Sequence, residues 1–189
     1  LTAYTGLDCL TQAIESMWSV RATEESIAYA REAMTLAWAN LEDAVHKNTK
    51  PSRIAMARAA CLAGKAINIS FTTACHALSY FMTIEYGVDH GLAVSLTLPE
   101  MLLYNSGVTK EDCLGDFDRT TTMMNEISVL LGNGDPTKAA ENLRNFIASL
   151  GVPTRLSQVQ IDSTDKRAAL VECVNLERLA NNPRRLHPE

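Results

Sequence analysis

The chain has 189 residues, 47% of them hydrophobic and 21% charged, which fits one globular domain with a buried core. Its 17 basic and 22 acidic residues give a net charge of −5 at pH 7, so neither nucleic acid nor a membrane is expected as a partner. No apolar run approaches the roughly 20 residues of a membrane span, and Leu1–Tyr4 lacks the basic start of a secretory signal.

Helix-forming residues dominate almost every segment. Ala, Leu, Met, Glu and Arg are frequent, and β-branched alternation is scarce. The predicted fold class is therefore all-α, a helical bundle domain covering residues 1–189. The predicted helices cover 6–15, 24–46, 52–67, 108–131 with a break near residue 115, 136–150 and 164–180. The predicted loops cover 46–51, 105–109, 132–135 and 151–163.

Two helix starts carry strong sequence signals. Thr23 is followed by Glu24 and Glu25, where carboxylates meet the positive end of the helix dipole. Asp135 and Pro136 combine a capping residue with proline at the first helical position. These signals predict sharp beginnings for the helices over 24–46 and 136–150.

The five cysteines point to a reducing compartment. Their number is odd and no two form a CxxC pair, so we expect small buried apolar residues in a cytoplasmic protein. His46 and His187 lie in polar stretches and are predicted to be surface residues.

A nucleotide-binding fingerprint is missing from the sequence. Residues 132–134 read Gly-Asn-Gly, but they follow one predicted helix and precede the cap of another. They therefore indicate a loop rather than the strand–turn–helix unit that binds a dinucleotide.

Asp8 and Gln12 stand four residues apart in the first predicted helix. Their oxygens face one side of the helix, one turn apart, which is how a single helix offers two ligands to one cation. The alternative is an ordinary polar pair on a solvated face.

His76 and His90 each occur in a mostly uncharged stretch. A partly buried histidine needs a polar partner, so each either bonds a backbone carbonyl in the core or serves as a ligand. Gly91 allows another group to approach the backbone closely, and the stretch 92–103 is almost entirely apolar. Two imidazoles, a carboxylate and an amide beside an apolar wall describe a dry site for a Lewis acid.

Several segments resemble the iron-containing (group III) alcohol dehydrogenases. The resemblance is carried by 5–15 (Thr-Gly-Leu-Asp-Cys-Leu-Thr-Gln-Ala-Ile-Glu), 76–78 (His-Ala-Leu) and 90–99, which begins His-Gly-Leu-Ala-Val. It continues to Asn105 and, more loosely, to the end of the chain. The resemblance implies the all-helical C-terminal half of a two-domain enzyme. Its Rossmann-like half, expected to bind most of the NAD(P)H, would lie outside these 189 residues, so we predict that this chain alone is inactive.

The resemblance also implies one divalent metal, usually iron and sometimes zinc. Carried over by position, the ligands are Asp8, Gln12, His76 and His90. The metal would polarise the carbonyl of a small aldehyde, or bind the matching alcohol, during reversible hydride transfer. An apolar domain of this family commonly contacts a second subunit, so the resemblance is compatible with a homodimer.

Two positions differ from the usual family pattern. Gln12 replaces a histidine ligand, and its neutral amide oxygen is a poorer donor to iron or zinc. Tyr80 stands where many members have a histidine that relays a proton, and a phenol is a weaker shuttle at neutral pH. Both departures, with the run 67–80, resemble the phosphonoacetaldehyde-reductase-like subgroup.

The substrate pocket is predicted from residues on either side of His76 in the sequence. Tyr80 is the candidate catalytic group, and Phe71, Thr73 and Phe81 are the candidate substrate contacts. A basic residue is expected near Phe71 if the substrate carries a phosphonate, because phenylalanine cannot pair an anion. Lys65 and Arg58 could compensate, or could lie on a solvated helix face.

Three alternatives stay open at this point. A dehydroquinate-synthase-like lyase shares the two-domain architecture but prefers a glutamate and two widely spaced histidines as ligands. A helical interaction module and a metal-free descendant of the reductases would bind no metal.

Overall fold

The computed structural model describes residues 1–186, and in this range the chain is all-α, as predicted. No strand occurs in these residues, only an isolated antiparallel bridge between Cys113 and Arg184. The α-helices are α1 Thr2–Trp18, α2 Glu24–His46, α3 Lys50–Ser70, α4 Ala74–Tyr86, α5 His90–Ser106, α6 Phe117–Gly132, α7 Pro136–Ser149, α8 Thr164–Glu172 and α9 Leu176–Leu179, with a 3-10 helix at Leu156–Val159.

Helix α1 is the central element of the bundle. Leu7, Leu10, Ile14 and Trp18 recur every three or four residues along it, and all four side chains are fully buried. Helix α1 contacts helices α2, α3, α5 and α6. A helix surrounded in this way is held by apolar burial on several sides, so the polar groups it carries are placed rigidly.

The two predicted helix starts are confirmed. Thr23 accepts a hydrogen bond from the backbone N–H of Ser26 at 3.2 Å, and α2 then covers Glu24–His46. The side chain of Asp135 accepts from two backbone N–H groups in the first turn of α7, which begins at Pro136.

Part of the helix predicted over 108–131 is wrong, because its first nine residues are not helical. The Oδ1 atom of Asp112 accepts from the Thr109 backbone at 2.7 Å, and its Oδ2 atom pairs with Arg184 at 2.8 Å. These side-chain bonds compete with helical ones. Asp116 then caps α6.

The predicted helix over 164–180 is interrupted. Helix α8 ends at Glu172, and the Asn175 side chain starts α9 by accepting from the Arg178 backbone at 3.0 Å. An asparagine competes well as a cap and poorly as a helix interior residue, which explains the break.

The prediction of five buried cysteines holds only in part. Cys9 and Cys75 are buried, whereas Cys61 and Cys173 are exposed and Cys113 is intermediate. His46 is exposed, as predicted, and His187 lies outside the described residues.

Across residues 1–186 there is no single helix that is both long enough and apolar enough to cross a bilayer. Helices α3 and α4, which meet at 106°, meet this length and composition criterion only as a joined pair.

Gly91 sets the distance between α5 and α1. A Cβ atom on this residue would lie 1.9 Å from the backbone oxygen of Tyr4, so only glycine permits the two backbones to meet here. The predicted close approach at Gly91 is thus confirmed, and it places the start of α5 beside α1.

We expect Gly91→Ala to destabilise the protein by about 1–3 kcal/mol, because the extra methyl group forces the two helices apart. Gly64→Ala is the matched control, since a Cβ there meets no atom within 4 Å on an exposed helix face. The control should stabilise the protein by about 0.5–1 kcal/mol. Urea denaturation measures both, and equal free energies of unfolding would contradict the close-packing argument.

Candidate metal centre

Three polar residues share one face of α1. Asp8, Gln12 and Glu15 follow at spacings of four and three residues, which stacks their side chains along the helix. Gln12 donates from Nε2 to the Oδ2 atom of Asp8 at 2.9 Å. This bond holds the Asp8 carboxylate, whose Oδ1 atom points to the neighbouring helices.

The two predicted histidines meet this carboxylate. His76 lies in the first turn of α4 and His90 is the first residue of α5. The Nε2 atom of His76 is 3.3 Å from Asp8 Oδ1, and the Nε2 atom of His90 is 3.7 Å from the same oxygen. Asp8, His76 and His90 therefore converge on one point, with one ligand atom of each within 4.8 Å of the others.

These separations fit a single transition-metal ion. Bonds of about 2.0–2.2 Å place two donors of a tetrahedral site about 3.4 Å apart, close to the distances that join Asp8 to His76 and His90. One carboxylate with two imidazoles suits iron or zinc better than magnesium or calcium, which prefer all-oxygen sites. The fourth predicted ligand, Gln12, reaches this centre through its hydrogen bond to Asp8.

Glu15 contacts the side of His76 that faces away from Asp8. No role was predicted for this residue from the sequence. Its side chain is fully buried, and Oε2 lies 2.5 Å from Nδ1 of His76. Its Oε1 atom accepts from the Thr73 hydroxyl at 2.7 Å and from the Cys75 backbone at 2.8 Å. A carboxylate on the far nitrogen directs Nε2 of His76 toward Asp8 and increases the basicity of that nitrogen. The signal in the sequence was its position two turns after Asp8.

The pKa values of His76 and Glu15 are shifted in opposite directions. Burial alone would lower the pKa of His76, but the charges and hydrogen bonds of Glu15 and Asp8 raise it to about 9. Burial alone would raise the pKa of Glu15, but the imidazolium and the hydrogen bonds lower it. Without a metal, His76 and Glu15 therefore form an ion pair, and a cation bound at Nε2 would take the place of the proton there.

His90 is held by a weaker contact. The Ser79 hydroxyl donates to the His76 backbone at 2.9 Å, so its oxygen is free to accept from Nδ1 of His90 at 3.4 Å. This leaves Nε2 of His90 as the ligand atom. Burial lowers the pKa of His90. The negative charge of Asp8 raises it, and the positive charges of His76 and Arg178 lower it further, so the pKa stays below its usual value.

Tyr80 borders the centre together with an arginine that the sequence did not single out. The Tyr80 ring lies 5.9 Å from the His90 ring. The Arg178 guanidinium lies over the same Tyr80 ring, 4.9 Å from its centre. The Tyr80 ring therefore contacts both the Arg178 cation and His90, a candidate metal ligand.

The predicted substrate contacts have three different settings. Thr73 is fully buried, where its hydroxyl donates to Glu15 and accepts from Trp18 at 2.9 Å, so it orients the carboxylate. Phe81 packs edge-to-face on Tyr86 in an apolar cluster. Phe71 is half-exposed at the end of α3 and lines two cavities of about 140 and 300 Å³. Substrate contact by these residues stays a prediction.

The cations proposed to compensate for Phe71 are engaged elsewhere. Arg58 pairs with Glu32 on α2, and the Lys65 ammonium lies over the Tyr29 ring at 5.5 Å. Instead Arg21 stacks on Phe71, with its guanidinium carbon 5.0 Å from the ring centre.

The model of the Fe-containing alcohol dehydrogenase family, C-terminal, matches residues 2–189, and the chain belongs to this family. It is 36% identical over 187 residues to a phosphonoacetaldehyde reductase of Streptomyces viridochromogenes. The aligned region covers 97% of this chain and 46% of the relative. The chain thus spans about half the length of this relative.

Solved structures agree with the fold. A sulfoacetaldehyde reductase from Bifidobacterium kashiwanohense in complex with NAD+ is 27% identical, with a TM-score of 0.80 over 97% of this chain and 46% of that one. An iron-containing alcohol dehydrogenase from Thermococcus thioreducens is 25% identical, with a TM-score of 0.82 over 100% of this chain and 47% of that one.

We expect Glu15→Gln to weaken metal binding about 10–100-fold, because the amide no longer holds His76 as a strong donor. Chelator competition measures the affinity for Zn²⁺, and circular dichroism checks the fold. Glu25→Gln, on the exposed start of α2, is the control and should leave the affinity unchanged. Equal affinities in all three proteins would mean that Glu15 is only a core residue.

Proposed function

We propose that this chain is the metal- and substrate-binding domain of a metal-dependent, NAD(P)-linked alcohol dehydrogenase or aldehyde reductase. The observation that carries the proposal is the convergence of Asp8, His76 and His90 on one point. A Rossmann-like domain elsewhere in the full-length protein would complete the cleft. A homodimer stays a prediction.

Asp8, His76 and His90 would hold the metal, with Gln12 as the predicted fourth ligand. Iron is the preferred ion and zinc the alternative. When bound, the cation polarises a carbonyl oxygen and the nicotinamide provides the hydride. The convergence argues for a metalloenzyme over a metal-free helical module, and net turnover of NADH would separate a reductase from a lyase.

The chain's own residues prepare the site for this chemistry. Asp8 brings the negative charge that a cation requires, and Glu15 and Ser79 fix the ring nitrogens of the two histidines. Tyr80, beside His90, would donate a hydrogen bond to the oxygen of the substrate. The likeness to the phosphonoacetaldehyde reductase favours a phosphonate aldehyde as a specialised substrate.

The function is tested on the full-length protein by following NADH or NADPH oxidation with small aldehydes. Asp8→Ala should lower kcat about 100-fold or more, because the site loses its charged ligand and with it the electrostatic stabilisation of the reacting oxygen. Elemental analysis should find Fe or Zn in the wild type and a reduced content in the variant.

Asp118→Ala, on the exposed first turn of α6, is the matched control and should keep both metal and activity. Thermal melts with Fe²⁺, Zn²⁺ and EDTA provide a second readout, because a metal that binds the folded state raises Tm. A melt indifferent to all three, in a protein without bound metal, would refute the proposal.

Gln12→His distinguishes a ligand from a residue that acts only through Asp8. If the amide is a ligand, imidazole should raise Zn²⁺ affinity about tenfold or more. Isothermal titration measures the change, and Gln12→Ala gives the reference without any donor. An unchanged affinity in Gln12→His would mean that Gln12 does not contact the metal.

A further inference from the structure

Two arginines line one cavity, and one of them, Arg178, stacks on Tyr80. Arg21, Phe71, Thr72 and Arg178 line a cavity of about 140 Å³, and an adjoining cavity of about 300 Å³ shares Phe71, Thr72 and Arg178. Arg21 follows the end of α1, and Arg178 lies on α9, so the two cations reach the same space from separate elements.

Within residues 1–186 neither arginine takes part in an ion pair. Glu177 borders the smaller cavity, but it is exposed and pairs with neither guanidinium in that range. Arg178 donates from one terminal nitrogen to the Thr72 hydroxyl at 2.8 Å, and its remaining donors are unused by that bond. Arg178 is partly buried and Arg21 is exposed. With no counter-ion among the described residues, the two cations form a ready site for an anion.

The position of Arg178 connects this anion site to the metal centre. Its guanidinium stacks on Tyr80, whose ring is the neighbour of His90. The centre of the His90 ring and the Arg178 guanidinium carbon therefore lie at most about 11 Å apart, on either side of the path past Tyr80. A molecule with its carbonyl oxygen at the candidate metal ligands and a negative group at Arg178 would bridge that distance. That span fits a short carbon chain.

We propose that Arg178, assisted by Arg21, binds the anionic tail of a short aldehyde whose carbonyl faces Asp8, His76 and His90. The preferred tail is a tetrahedral oxyanion, a phosphonate or a sulfonate. Its three oxygens can accept from both guanidinium groups and from the Thr72 hydroxyl at once, whereas a carboxylate has only two. This inference rests on the proposed function and names its substrate class.

The arrangement also explains how Phe71 is compatible with an anionic substrate. The charge missing at position 71 is brought by Arg21, which stacks on the Phe71 ring. Stacking leaves the edge donors of a guanidinium free for an oxyanion.

The test compares phosphonoacetaldehyde with propanal, a neutral aldehyde, as substrates of the full-length protein. Arg178→Ala should lower kcat/KM for phosphonoacetaldehyde about 30–100-fold, the usual size for a lost charged hydrogen bond. The loss for propanal should be at least tenfold smaller. Arg178→Lys should recover part of the loss, and Arg21→Ala should show a smaller loss of the same selectivity.

Arg167→Ala, an exposed arginine on α8, is the control and should leave both substrates unaffected. Equal losses for both aldehydes in Arg178→Ala would overturn the proposal. So would a rise in the KM for NADH or NADPH with no change in selectivity, because the arginines would then bind a cofactor phosphate.

Methylphosphonate tests the subsite without catalysis. It should raise the Tm of the wild type and of Arg167→Ala, and the shift should disappear in Arg178→Ala. If the wild type reduces no aldehyde, the proposed function fails, and the methylphosphonate shift still decides the anion site. No shift in the wild type would overturn it.

Discussion

The contact between Glu15 and His76 is the interaction on which the candidate site depends. A carboxylate with no solvent exposure is costly unless it is paired and fully hydrogen-bonded, and Glu15 meets this condition through His76, Thr73 and the Cys75 backbone. Since Glu15 belongs to α1 and its partners lie at the start of α4, one buried charge joins two helices and aims an imidazole. The indole of Trp18 extends the network by donating to Thr73.

Helix packing places the remaining candidate ligands around this pair. The contact of Gly91 with the Tyr4 backbone brings the first residue of α5 against α1, and His90 is that residue. Asp8 stands on the same side of α1, where Gln12 holds its second oxygen. The donors thus come from three helices whose relative positions are set by apolar burial, and a small change in any one crossing would separate them.

Local signals in the sequence were sufficient for some of the helices, but α4 and α5 were not among the predicted ones. The caps at Thr23 and Asp135 and the spacing of Asp8 and Gln12 act within one helical turn, so they can be seen in a single sequence. The turns after residue 107 could not, because Asp112 is held by Arg184 from the far end of the described chain. Glu15 was overlooked for a similar reason, since its role is explained only by the histidine that it meets in space.

Arg178 lies on a single-turn helix between Asn175 and Asn181, outside the long helices that carry the candidate metal ligands. Asn181 fastens this short segment by donating to the backbone oxygens of Ser70 and Thr72. The candidate metal centre and the proposed anion site are therefore carried by separate pieces of the chain. Grafting a different segment over residues 173–182 would be a route to new substrate preferences that leaves the ion-binding framework intact.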